Sequence, residues 1–178
     1  MQVATTFQQP PRTLLEVFKM LPEGTCAELI DNSLYMSPAP TTRHQDIVGT
    51  IFSSIHVYAR KTKIGKVFVS PIDVYLNSKN AFQPDIVFIS NENLSIIKEN
   101  GIYGAPDLVI EILSSGTEKL DRNQKKLAYE QAGVKEYWIV APLTKESTGY
   151  QLTKGKYTEF KKEKGKLSSA LLNHVFKF

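Results

Sequence analysis

Cysteine is almost missing from this chain. The one present, Cys26, excludes an internal disulfide and any thiolate-rich zinc site. It sits in the alternating segment TCAELI and is expected to be a small core side chain. Long apolar runs are missing too: none approaches the roughly 18 residues of a membrane span. The first twenty residues, MQVATTFQQPPRTLLEVFKM, hold no continuous apolar signal segment, which points to a cytoplasmic protein with no membrane partner. No internal repeat and no low-complexity linker is present. With 178 residues, 42% of them hydrophobic, the chain fits one domain, residues 1–178, with a substantial core. Acidic charge is in slight deficit, leaving a net +4 and a pI of about 9.0. That balance suits a polyanionic partner, although many ordinary enzymes are as basic.

What is there reads as alternating strands and helices. Thr13 and Glu16 form a capping box ahead of LLEVFKML, a short helix stopped by Pro22. TCAELIDNSLYMS predicts a hairpin turning at Asp31, Asn32 and Ser33. Thr42 with Gln45 suggests a second capping box, and the helix after it carries Ile47, Val48, Ile51, Ile55, Tyr58 and Ala59 on one face. Gly65 ends the linker that follows. KVFVSPIDVYLN and FQPDIVFIS are β-rich, NENLSIIKENG is a connecting loop or helical turn, and DLVIEIL is a strand. Glu118 to Ala132 reads as a helix capped by Gly133. EYWIVA is a buried-type strand whose Tyr137 and Trp138 are expected core aromatics. GYQLTKGKYTEFKK predicts a hairpin turning at Lys154 and Gly155, its lysines on a solvated surface or tracking phosphates. The sum is an α/β fold, a mixed β-sheet flanked by helices, with an N-terminal and a C-terminal hairpin.

DLVIEIL poses a chemical problem, because an ionised carboxylate inside a buried strand costs several kcal/mol unless it is paired or metal-bound. Side chains alternate, so Asp107, Val109 and Glu111 share one face while Leu108, Ile110 and Ile112 take the other. Four residues of strand separate the Cα atoms of Asp107 and Glu111 by about 13 Å, too far for one shared ion. Asp107 is therefore read as a strand-start or supporting residue, and Glu111 needs a partner from another strand. Asp85 in QPDIVFIS is a candidate if the two strands pair; otherwise it simply ends its strand after Pro84. On the following helix, Leu127, Ala128, Tyr129 and Ala132 define the apolar arc, with Asp121 and Lys125 inside or beside it and Lys119, Arg122 and Lys126 turned away. Lys125 is thus the lysine expected to face the sheet, unless Asp121 caps the helix and pairs with it at the rim. Two acids that hold a divalent ion, with a lysine beside them, form a set suited to phosphodiester hydrolysis.

These segments, AELIDNSLYMSPAPTTRHQDIVGTI, GKVFVSPIDVYL, QPDIVFIS and PDLVIEILSSGTEKLDRNQKKLAYEQAGVKEYWIV, resemble the Uma-type restriction endonuclease family, part of the PD-(D/E)XK nuclease superfamily. The likeness runs from about Cys26 to Val140. It implies a restriction-endonuclease-like core and a metal-dependent endonuclease site, with Mg²⁺ as cofactor and Mn²⁺ as its substitute. Pro84-Asp85 matches the family's first acidic element and Glu111 the second, so the resemblance assigns Asp85 and Glu111 to the metal. Where the superfamily usually has lysine this chain has Leu113, and the pattern Asp121, Lys125, Tyr129 supplies the amine from the next helix. Glu28 and His44 also match family positions and join the candidate catalytic set of Asp85, Glu111, Lys125, Glu28 and His44. Glu28 lies on a buried-type hairpin face; a histidine at a helix start, like His44, is more often structural. Ala141 departs from the family's usual acid, and Asn32 stands where glycine is usual.

The expected partner is nucleic acid, DNA in the first instance, and cleavage of both strands by one kind of site calls for a homodimer. Two rivals remain: a catalytically silent nucleic-acid-binding or scaffold protein that retains the fold, and a nuclease acting on RNA or branched DNA. No base-reading module identifies a target sequence.

Overall fold

The computed structural model describes residues 10–178; the reading of the first nine residues as free of an apolar leader lies outside that range. Helix α1 (Leu14–Lys19) is capped by Thr13, whose hydroxyl accepts the Glu16 N–H. Strands β1 (Ala27–Ile30) and β2 (Ser33–Met36) form the N-terminal hairpin. Its turn holds Asp31 and Asn32 at φ 46° and 57°, so Asn in place of glycine serves the left-handed conformation. Helix α2 (Thr42–Thr62) begins one residue earlier than its sequence suggested: Thr41, not Thr42, caps it by accepting the His44 N–H.

Two six-stranded sheets follow, where a single mixed sheet was expected. Strands β3 (Gly65–Val69), β4 (Val74–Asn77), β5 (Asn80–Phe82), β6 (Ile86–Ser90), β7 (Ile97–Lys98), β8 (Gly101–Tyr103) and β9 (Leu108–Ile112) are divided between them. The later elements are α3 (Glu118–Leu120), α4 (Lys126–Ala132), β10 (Glu136–Ala141), β11 (Glu146–Thr153), β12 (Lys156–Lys164), β13 (Lys166–Ser169) and β14 (His174–Lys177). The first sheet runs β2-β1-β5-β4-β8-β7 and the second β12-β11-β10-β9-β6-β3, with β13 and β14 as a separate pair. Both large sheets are mixed: β9 runs parallel to β10 and antiparallel to β6, and β4 is parallel to β8. The hairpin at Lys154 and Gly155 is present, both residues at positive φ.

Alternation on β9 explains the layering. Leu108, Ile110 and Ile112 join Ile86, Phe88 and Trp138 against the α2 face of Ile47, Val48, Ile51, Ile55 and Ala59. On the other side Val109 packs with Val87, Tyr137 and Ile139 against Ile30, Phe82 and Val74 of the first sheet and Tyr129 of α4. Phe18 of α1 covers the outer face of the hairpin at Ala27 and Leu29. Two sequence readings fail at the periphery. Cys26 is exposed, because it precedes β1 and so lies outside the packed alternation. Leu127 is also exposed; Ala128 and Tyr129 alone carry the buried edge of α4. The helix expected over Glu118 to Ala132 is broken into α3 and α4 by a π-helical turn at Asp121–Lys125.

Asp107, at the entry to β9, is structural. Its Oδ2 accepts the Ser90 N–H at 2.8 Å and its Oδ1 lies 2.7 Å from Lys135 Nζ. Burial works to raise its pKa, but Lys135 and the Ser90 N–H outweigh it and hold the carboxyl below its usual range. Since the charged form is the one favoured by folding, its contribution is present above the ordinary carboxylate pKa of about 4 and is lost as pH falls through the lower folded value. Asp107→Asn should cost about 1–3 kcal/mol at pH 7 and flatten the fall in stability below about pH 4. Urea unfolding across that pH range measures both effects.

Candidate active site

The site starts from a proline. Pairing of Ile86 with Ile110 and of Phe88 with Leu108, continued two residues along, sets Asp85 across from Glu111 and Pro84 across from Ile112. The Leu113 N–H bonds to Val140 on β10, so the backbone groups of Ile112 face the opposite way, toward the β6 side. Proline has no N–H to offer the Ile112 carbonyl, and the ladder stops. Side chains replace it. The Ile112 N–H donates to Asp85 Oδ2 at 2.8 Å, and His44 Nε2 lies 2.8 Å from the Ile112 carbonyl and 3.3 Å from Asp85 Oδ2. The Asp85 main-chain N–H reaches Glu111 Oε2 at 3.4 Å, a long contact that ties the start of β6 to the Glu111 side chain.

The amine comes from the π-helical turn. One extra residue per turn turns Asp121 and Lys125 inward together, and both are buried. The Asp121 carbonyl accepts the Tyr137 hydroxyl at 3.0 Å, so the distorted turn is tied to β10. Lys125 Nζ lies 2.6 Å from Glu111 Oε1, 2.9 Å from Glu28 Oε1 and 3.1 Å from Asp121 Oδ1. Tyr129, one turn on, donates its hydroxyl to Glu111 Oε1 at 2.8 Å. Glu28 faces inward from β1, where its Oε1 also accepts the Gln83 N–H at 2.9 Å. The Gln83 side-chain amide in turn donates to Asp73 and to the Thr25 carbonyl.

Burial makes this arrangement electrostatically stiff. Desolvation alone would lower the Lys125 pKa, but Glu111, Glu28 and Asp121 outweigh it and hold the ammonium well above its ordinary value. Desolvation raises Glu111 well above the usual carboxylate range; Lys125 opposes this, while Asp121, Asp85 and Glu28 add to it. Burial raises Asp121 too, with Glu28 adding to the effect and Lys125 and Thr117 opposing it. At His44 burial works downward, and the hydrogen bond and charge of Asp85 with the Ile112 carbonyl carry the ring upward instead. Four carboxylates thus face one ammonium and one imidazole, and negative charge is in excess.

All five candidates, Asp85, Glu111, Lys125, Glu28 and His44, therefore converge. Asp107 does not; it sits at the far end of β9, bonded to Ser90 and Lys135. Leu113 is buried in the core. Asp121 is no helix cap but a member of the cluster. Gln83 was missed. Its nearness to Pro84-Asp85 was the only hint, since a neutral amide in a loop carries no chemical signature.

The match to known proteins agrees with this architecture. The family model of Uma2, described as "Putative restriction endonuclease", matches residues 14–174. A crystal structure of "a putative nuclease belonging to DUF820" from Anabaena variabilis ATCC 29413 superposes with a TM-score of 0.70 at 21% sequence identity, covering 84% of each chain. At that identity the likeness shows the fold, a mixed α/β architecture with helices against its sheets. No curated protein matches the chain.

Lys125 carries the greatest structural weight. Lys125→Met should destabilise by about 3–5 kcal/mol, since it strands buried carboxylates, and adding Glu111→Gln should restore part of that loss. Urea denaturation of the two single variants and the double variant checks the coupling. Additive losses would mean that Nζ and Glu111 do not interact as drawn.

Proposed function

The chain belongs to the Uma2 family, and from that premise we propose that it is a metal-dependent endonuclease hydrolysing phosphodiester bonds of DNA at the cluster of Asp85, Glu111, Lys125, Glu28 and His44. The observation that carries this reading is the buried ammonium of Lys125 set among Glu28, Glu111 and Asp121 with Asp85 alongside. A purely structural core has no use for so many desolvated charges, which cost more than hydrocarbon of the same volume.

The residues fit a hard divalent cation. Four acids stand against one lysine and one histidine, and Glu111 is raised chiefly by burial, with Asp121, Asp85 and Glu28 adding to it against Lys125. Asp85 and Glu111 would hold Mg²⁺ or Mn²⁺, with waters filling the remaining positions as that ion prefers. A bound ion would activate water and neutralise charge on the phosphate. Lys125 fixes Glu111 and Glu28 in place and supplies a permanent positive charge toward the accumulating negative charge of the transition state. Tyr129 locks the same Glu111 oxygen, so the acid cannot turn freely. Asp85, whose side chain is 15% exposed against 4% for Glu111, is the acid nearest to an approaching substrate. The net +4 charge favours a polyanion, and double-strand scission would bring two copies together as a dimer.

One observation favours a second reading. Glu111 Oε1 is already matched by the Lys125 ammonium and the Tyr129 hydroxyl without a cation, as a silent fold retained for nucleic-acid binding would need. An assay with Mn²⁺ or Mg²⁺ on supercoiled plasmid, linear duplex, single strand, junction DNA and RNA separates the two. Metal-dependent cleavage of DNA is expected, with Asp85→Asn slower by about 100-fold or more. No cleavage of any substrate, with neither ion bound at Asp85 and Glu111, favours the silent reading. Cleavage of RNA alone moves the substrate class. An Asp85→Asn protein that cleaves like wild type sinks the site assignment.

A further inference from the structure

A cavity of about 830 Å³ adjoins the cluster through Gln83. Pockets for small organic ligands run from about 300 to 1,000 Å³, so this one has room for a nucleotide. Its walls come from α1 and the segment after it, the turn between β3 and β4, and the turn between β7 and β8. Phe68, Ile72 and Tyr75 give it an apolar and aromatic lining, and all three are partly buried. Tyr75 is held in place: Tyr103 stacks on it with ring centroids 4.6 Å apart, and Phe18 meets it edge-on at 6.0 Å.

The polar end is built from acceptors. Gln83 Nε2 lies 3.1 Å from the Thr25 carbonyl and 2.9 Å from Asp73 Oδ1. A carbonyl and a carboxylate both accept, so the amide nitrogen faces them with both hydrogens spent, and Oε1 is what Gln83 has left to offer. Asp73 Oδ2 takes the Tyr75 hydroxyl at 3.0 Å, and each carboxylate oxygen still has a lone pair free. The Asp73 main chain is fixed as well. Its carbonyl accepts the Ile102 N–H at 2.8 Å, and a Cβ at Gly101 would lie 2.9 Å from that oxygen. Charge selects what enters: Lys19 and Lys98 line the cavity against Asp73, Glu23 and Glu99. A phosphate gains nothing there, whereas a neutral ring that bears hydrogen-bond donors does.

Resting on the DNA-directed reading above, we propose that this cavity takes an unpaired nucleobase, guanine before the others, from the strand whose neighbouring phosphate lies at Asp85. Guanine carries two adjacent donors, N1–H and N2–H₂, on its Watson–Crick edge, which suits a carboxylate and an amide oxygen. Adenine and cytosine set an acceptor beside their donor, and thymine flanks its one donor with acceptors, so each would turn a lone pair on Asp73. The aromatic lining supplies the stacking surface that any extruded base needs. Gln83 and Asp85 are two residues apart, at most about 7 Å along the chain, which is within the reach of one nucleotide. A base still paired in a duplex cannot enter. The favoured substrate is therefore DNA that already holds an unpaired nucleotide, where extrusion costs least.

Binding and cleavage are read separately. Labelled duplexes with one bulged guanine, adenine, cytosine or thymine, and the fully paired duplex, are bound to the full chain in EDTA at one salt concentration and followed by fluorescence anisotropy. Products formed on adding Mg²⁺ or Mn²⁺ are then mapped. The bulged guanine should bind about tenfold or more tightly than the bulged thymine or the paired duplex, with cuts beside the bulge. Asp73→Asn is the companion variant: its amide offers a donor and an acceptor, the pairing that suits adenine, so the preference should pass from guanine to adenine. A merely structural role for Asp73 would not move it. Equal binding of all four bulges, or an Asp73→Asn protein that keeps the guanine preference, overturns the pocket; if metal-dependent cutting persists, the nuclease reading stands. Guanine preference in binding with no cleavage upholds the pocket and favours the silent fold. DNA neither bound in EDTA nor cut with either ion overturns this proposal and the nuclease reading together. Should Asp73→Asn fail to fold, the ranking of the four bulges by the wild type alone still decides.

Discussion

A single ammonium group organises the interior of this protein. Lys125 Nζ lies within 3.1 Å of carboxylates from β1, from β9 and from its own helical turn. Each of those acids is desolvated, and each alone would be costly where it is. Together they define a point at which the two large sheets and the helical layer meet. The hairpin is tethered through Glu28, the central strand through Glu111, and the π-helical turn through Asp121 and Lys125 itself. Hydrocarbon of equal volume would fill this space at lower cost. The protein has given up stability to keep charge here.

Around that point, irregular backbone does what regular structure cannot. A regular α-helix places residues four apart about 40° out of line, and the π-helical turn widens the ring so that Asp121, Lys125 and Tyr129 address the same acids. Pro84 ends a strand pairing that would otherwise have consumed the Ile112 carbonyl and N–H. Both irregularities occur beside the cluster, and both release groups from secondary structure for use by side chains. The same logic explains the loop residue Gln83. Its main-chain N–H, just ahead of the proline, turns onto Glu28 rather than into a ladder.

How much of this was legible follows from the period of each element. The faces of β9 and α2 were readable because their alternation of two and of about 3.6 is strict over many residues, and Ile110 and Ile51 lie where that counting puts them. Lys125 was readable as inward because Tyr129, one turn on, is unmistakably core. Cys26 and Leu127 misled at element edges, where one residue of alternation or one apolar side chain gives no depth of pattern. The division into two sheets was not readable, since nothing local in KVFVSPIDVYLN says that β3 and β4 part company at the intervening turn. The π-helical turn was invisible for a related reason: DRNQKK has ordinary helical composition, and only the tertiary pull of Glu28, Glu111 and Tyr137 makes the wider turn worthwhile. The proximity of His44 to Asp85 crosses from a helix start to a strand start, a contact that sequence spacing cannot express.

The charge balance at this centre connects fold to proposed chemistry. One ammonium cannot neutralise four carboxylates, and low dielectric makes the residual repulsion expensive. Elevated pKa values at Glu111 and Asp121 are one way in which the protein can lower that cost, by sharing protons. A divalent cation would be another: the Asp85 main-chain N–H already reaches Glu111 Oε2, and Lys125 and Tyr129 fix the other oxygen, Oε1. Under the proposed reading, the folded chain carries a deficit of positive charge that substrate alone would worsen, because phosphate is itself an anion. A nucleic acid could therefore approach Asp85 productively only with a cation in place. Binding of metal and binding of the phosphodiester would be thermodynamically linked through the same four acids, each strengthening the other.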